Sequence, residues 1–185
     1  MNWGTLLPAA LTAFAGAFLG AWAVTHVPGE GLRKALPFVL VAVLAYTVAR
    51  KDLGQAHAPR LPAGGERAAA AGIGGALGLY DGFFGPGTGS FLVFLFVRVL
   101  GYDFLHASAG AKLVNAATNL AALALFTAKG HVWWHVALVM AVANVAGSLL
   151  GARLALRHGS AFVRRVFIVV VGALILRTAW DAFAP

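Results

Sequence analysis

The sequence predicts an all-α polytopic membrane protein made of two related, inverted-topology repeats, the second opening on a Gly-rich broken or re-entrant helical hairpin. Three observations carry this expectation. Of 185 residues, 61% are hydrophobic and 11% charged, the composition of a chain that crosses a bilayer several times. Residues 72–91 hold eight glycines and Pro86 between apolar runs. Backbone that cannot complete a helix at membrane depth must be buried in protein or line a cavity. The chain also matches itself at an offset of 131 (164 − 33): Ala15, Gly16, Leu19, Gly20 and Ala21 correspond to Ala146, Gly147, Leu150, Gly151 and Ala152. In the same register Arg33 and Lys34 correspond to Arg164 and Arg165, and Val39, Ala42 and Thr47 to Val170, Ala173 and Thr178. Repeated halves with broken helices are a mark of secondary transporters.

The elements follow in order. Residues 6–27 form a 22-residue apolar run, the first span, with Gly16 and Gly20 four apart as a face for close helix contact. Residues 35–49 form a second, shorter span, with Arg33, Lys34, Arg50 and Lys51 at its ends to reach the headgroups. Residues 50–67, with Pro59, Pro62, Gly64 and Gly65, read as the connection between halves. Two half-helices are expected at 68–80 and 90–100, each too short to cross about 30 Å of hydrocarbon, meeting near Asp81 to Gly89. Full spans follow at 107–128, at 132–152 behind the interfacial pair Trp133 and Trp134, and at about 163–183. The division is therefore 1–49, the C-terminal part of a first repeat; 50–67, a linker; and 68–185, a complete second repeat with its broken hairpin at 68–100. Shifting that hairpin back by 131 puts its first copy before Met1, so the chain reads as lacking the N-terminal part of its first repeat.

Charge is informative about topology. A net charge of +8 lies mostly in short loops, where basic residues set orientation and meet lipid headgroups; no nucleic-acid partner is expected. If the broken segment re-enters, the 50–67 and 153–165 connections share a side with eight basic residues, against Arg33, Lys34 and Lys129 on the other. If it crosses, the split is six to five. The positive-inside rule favours re-entry.

The candidate site is the break. Thr88, Gly89 and Ser90 open the second half-helix, whose free N–H groups and positive dipole end suit an anion, while Gly85, Gly87 and Gly89 let it approach the backbone. Lys112, Asn115 and Asn119 share one helix face. A lysine at membrane depth is costly, and either balances a substrate charge or bridges to Asp81. Asp81 is either a proton carrier or, as the reading favours, a cap on the broken helix. Asn144 reads as packing. There is no cysteine, and of six histidines only His131 and His135 have i, i+4 spacing, without an acidic neighbour. No metal site and no cofactor are expected. No catalytic residues, phosphate loop or paired carboxylates are visible, so an enzyme is not expected.

Residues 78–91 (Gly-Leu-Tyr-Asp-Gly-Phe-Phe-Gly-Pro-Gly-Thr-Gly-Ser-Phe) and 109–119 (Ala-Gly-Ala-Lys-Leu-Val-Asn-Ala-Ala-Thr-Asn) closely resemble the second-half signature of the sulfite exporter TauE/SafE family. The resemblance covers about residue 6 to the end. It implies a multi-pass permease of the bacterial inner membrane, whose substrate is a small anion: sulfite, a sulfonate or a related organosulfur anion. It also implies two related halves, each beginning with a Gly-rich segment. The rival expectations are a non-transporting membrane subunit or truncated remnant and, less favoured, an intramembrane enzyme. The expected partners are that anion and the lipid bilayer; homo-oligomerisation is left open.

Overall fold

The computed structural model describes residues 3–24, 30–49, 56–85 and 87–183, apart from the side chains of residues 30–36, 39 and 183. The expectations placed on Arg33, Lys34, Arg50, Lys51 and Pro86 therefore lie outside the described side chains. Among the described residues every regular element is helical: α1 (Trp3–Val24), α2 (Glu30–Ala49), α3 (Ala63–Phe83), α4 (Thr88–Leu95) with a π-helical turn (Phe96–Leu100), α5 (Phe104–Ala128) and α6 (Trp134–Phe183). Three of these, α1, α5 and α6, are long and apolar enough to cross a membrane.

α6 is two helices in series. At Gly159 φ is 70° and ψ −169°, a conformation essentially reserved for glycine. It separates an arm 134–158 from an arm 160–183, each about 36 Å long at 1.5 Å per residue. Each is enough for one bilayer thickness, as the two sequence-predicted spans require.

The largest interface joins α1 to α3, and small residues build it. A Cβ added at Gly74, Gly78 or Gly82 would overlap the carbonyl oxygen of Ala9, Ala13 or Ala17 respectively; one at Gly16 or Gly20 would overlap α3 backbone at Gly75 and Leu79. Both sets advance together, so the helices run parallel, with backbones in contact along two i, i+4 rows. Thr12 Oγ1 adds a hydrogen bond across the interface to the Ala71 carbonyl, at 2.7 Å.

This overturns part of the reading of residues 72–91. The glycines from Gly72 to Gly82 do not interrupt the helix; Gly74, Gly78 and Gly82 form its packing face against α1. α3 starts at Ala63 and rises about 31 Å, so it is no half-helix. The interruption is confined to 84–87, with Gly85 and Gly87 at φ 87° and 86°. Only α4 and its π-turn are short. The break itself stands where expected, between Phe83 and Thr88.

The segment from α3 to the π-turn returns to where it began. Ala58 N–H donates to the Gly101 carbonyl at 2.9 Å and Arg60 N–H to the Leu100 carbonyl at 3.2 Å. The buried Tyr102 hydroxyl donates to Glu66 Oε1 in the first turn of α3. Burial first, then that bond, holds the Tyr102 phenol above its usual range. α2 packs on the arm 160–183, where Arg164 near the start of the arm donates to the Thr47 carbonyl near the end of α2, at 2.6 Å. The core behind these contacts holds Leu6, Leu40, Leu92, Phe96, Leu100, Phe104 and Val171.

Candidate functional site at the break between α3 and α4

Gly87 caps α4 in the left-handed region, and no side chain caps its N-terminus. The Thr88 hydroxyl turns back to the Gly85 carbonyl, 2.7 Å away, closing the tight turn rather than offering itself to a ligand. Thr88 and Ser90 are buried, whereas Gly89 is exposed and a Cβ there would meet nothing within 4 Å.

The start of α4 opens on a cavity of about 360 Å³ lined by Gly87, Gly89, Ser90, Ser108 and apolar side chains of the arm 160–183, among them Phe167 and Val170. A helix N-terminus that no side chain caps, with adjacent hydroxyls and an apolar wall opposite, suits a small anion: backbone N–H groups and dipole supply the positive end.

The other predicted residues are divided. Asp81, in the last turn of α3, is half-buried; its carboxylate would lie 3.9 Å from a Cβ at Gly85, on the α3 side of the turn. Lys112 does not line the cavity and forms no ion pair with Asp81. Its Nζ donates to the Ser148 carbonyl of the arm 134–158, at 3.0 Å. Asn115 is half-buried, and Lys112 and Asn119 are exposed. Ser108, which the sequence reading missed, connects the two groups. It lies one helical turn before Lys112, so Ser108, Lys112, Asn115 and Asn119 form one polar stripe on α5, starting at the cavity. The i, i+4 spacing to Lys112 was the signal available. Asn144 is exposed on the arm 134–158.

Apolar helices of spanning length, one of them following a glycine-lined break, define a helical protein with the character of a membrane protein. The sulfite exporter TauE/SafE family matches residues 1–178, and the chain belongs to that family, one of membrane transporters. It is 35% identical over 181 residues to the "Probable membrane transporter protein ORF9" of a Sinorhizobium species, covering 97% of this chain and 68% of the relative. It is 35% identical over 169 residues to the "Probable membrane transporter protein YfcA" of Escherichia coli K12, covering 91% and 62%. A "Probable membrane transporter protein" of Haemophilus influenzae is 31% identical over 169 residues, covering 91% and 65%. The chain thus spans about two thirds of the length of these relatives. No solved structure matches it.

Proposed function

We propose that the protein is a multi-pass secondary carrier of a bacterial plasma membrane, which moves small sulfur-containing oxyanions such as sulfite or sulfonates by binding them at the N-terminus of α4. The observation that carries this reading is the start of α4, which no side chain caps and which faces a cavity with Gly89 and Ser90 in its wall. Gly85 and Gly87 shape the turn, and Thr88 locks it. Asp81 stays on the far side of the turn, where its charge does not meet the anion head-on. Lys112, Asn115 and Asn119 continue the site as a polar track between α5 and the arm 134–158, with Lys112 as the cation that compensates the passing charge.

The hairpin is read as re-entrant. Its ends are hydrogen-bonded together, and the return limb of α4 and the π-turn rises about 18 Å, near half of a 30 Å hydrocarbon core.

Radiolabelled sulfite flux into proteoliposomes tests the reading. The chain should exceed protein-free vesicles, and Lys112→Ala should abolish the excess while inserting normally, since it removes one hydrogen bond worth about 1 kcal/mol. Parental flux from Lys112→Ala makes the lysine structural and leaves the break alone as the site.

A second reading is a subunit that packs on a partner helix without transporting. It is favoured by Gly147 and Gly151, whose face meets nothing within 4 Å. Flux no greater than that of empty vesicles supports this second reading.

A further inference from the structure

Outside the break, three segments distant in sequence converge on one carboxylate. Asp103 caps α5, its Oδ1 accepting the His106 N–H at 2.9 Å and the Ser160 hydroxyl, from just beyond the α6 kink, also at 2.9 Å. Oδ2 is left for two imidazoles: His106 Nδ1 at 2.5 Å and His57 Nδ1 at 3.7 Å. The two rings lie 4.4 Å apart between centroids. One ligand atom from each of the three residues falls within 4.8 Å of the others. Asp103 is buried, while both imidazoles reach solvent. Burial pushes the Asp103 carboxyl up, but the hydrogen bonds from His106 and Ser160 outweigh it and hold the group below the ordinary carboxylate value.

A helix cap requires only Asp103 and the His106 N–H. It does not account for a second imidazole brought in from the segment before α3, or for a hydroxyl that fixes Oδ1 and leaves Oδ2 turned toward both rings. We propose that His57, Asp103 and His106 bind a divalent transition metal ion, with Zn²⁺ the best match. Two imidazoles and one carboxylate are a borderline N/O set, suited to Zn²⁺ rather than to Mg²⁺ or Ca²⁺, which take oxygen ligands. Three protein ligands leave a fourth, water-filled position, as the exposed rings allow.

Zn²⁺ would be held by the imidazoles in their neutral form and by the Asp103 carboxylate. Ser160 is the positioning residue, holding the carboxylate from behind. The bound ion fastens the segment before α3 to the cap of α5 and, through Ser160, to the kink of α6. The inference rests on none of the transport reading.

The test uses the tag-free full chain in detergent, stripped with chelator and titrated calorimetrically with Zn²⁺, then with Co²⁺ for its visible ligand-field bands. His131→Ala/His135→Ala is present in every sample to remove the other closely spaced pair. One Zn²⁺ per chain is expected, with affinity lowered at least about tenfold by His57→Ala or His106→Ala and about tenfold by Ser160→Ala. Asp103→Asn keeps the cap and should also lose the ion. If His57→Ala does not fold, His57→Gln serves in its place. No stoichiometric Zn²⁺ on the parental chain, or parental affinity in the folded His57 variant, overturns the proposal.

Discussion

Gly78 and Gly72 sit six residues apart in the same helix and have opposite surroundings. A methyl at Gly78 drives into the backbone of Ala13, whereas at Gly72 it meets nothing within 4 Å. Gly78→Ala should therefore cost about 1–3 kcal/mol through overpacking, while Gly72→Ala should be neutral or gain about 1 kcal/mol from helix propensity. Unfolding in detergent micelles, followed by circular dichroism, checks both; equal stability of the two variants contradicts the packed interface. These glycines also show what sequence leaves unread. Their density was visible, and so was a break near Asp81 to Gly89. Their partition was not, because a glycine that admits a neighbouring helix and one that takes a positive φ are the same letter. Only the partner decides, and α1 lies more than fifty residues away. The small residues Ala9, Ala13 and Ala17 hold the complementary spacing, which was legible in principle once Gly16 and Gly20 had been noticed.

At the scale of elements, the hairpin of α3, α4 and the π-turn carries the topology. Its two ends share hydrogen bonds, so Ala58 and Arg98 should face the same side of the membrane as Arg157, and Lys129 the opposite side. The chain has no cysteine, so single cysteines at these four positions can be read with a membrane-impermeant thiol reagent on oriented vesicles. Labelling of positions 58, 98 and 157 from one side and 129 from the other is expected; position 98 labelled together with 129 contradicts re-entry. The spans at 107–128, 132–152 and 163–183 were legible from apolar runs, because the bilayer sets their length. The course of Lys112 was not. Its cost at membrane depth marked it for a partner, but a flexible side chain on α5 reaches either the break or the arm 134–158, and helix spacing alone does not choose.

At the scale of the molecule, we propose that the internal offset is a repeat of structure, with α1 (Trp3–Val24) corresponding to the arm 134–158 and α2 (Glu30–Ala49) to the arm 160–183. Equivalent side chains make equivalent contacts. Thr47 Oγ1 donates to the Val43 carbonyl at 2.8 Å, and Thr178 Oγ1 to the Leu174 carbonyl at 2.7 Å, each pair offset by 131. α2 packs on the arm 160–183 with Arg164, near the start of the arm, against Thr47, near the end of α2, as expected of inverted repeats about an in-plane two-fold axis. We take this as support for the repeat proposal. The copies differ where one lacks a partner: Gly16 and Gly20 receive α3, while the corresponding Gly147 and Gly151 face open space.

The central claim, that the anion binds at the start of α4, is tested most directly by sulfite flux through Gly89→Leu in proteoliposomes. The position is exposed and has room for a side chain, and leucine is a good helix former, so the fold should survive. The new side chain projects into the cavity that Gly89 lines and stands where an oxyanion must meet the backbone. The account predicts that Gly89→Leu inserts like the parental chain and loses sulfite flux, with Gly72→Leu keeping it. Parental flux through Gly89→Leu would contradict the account.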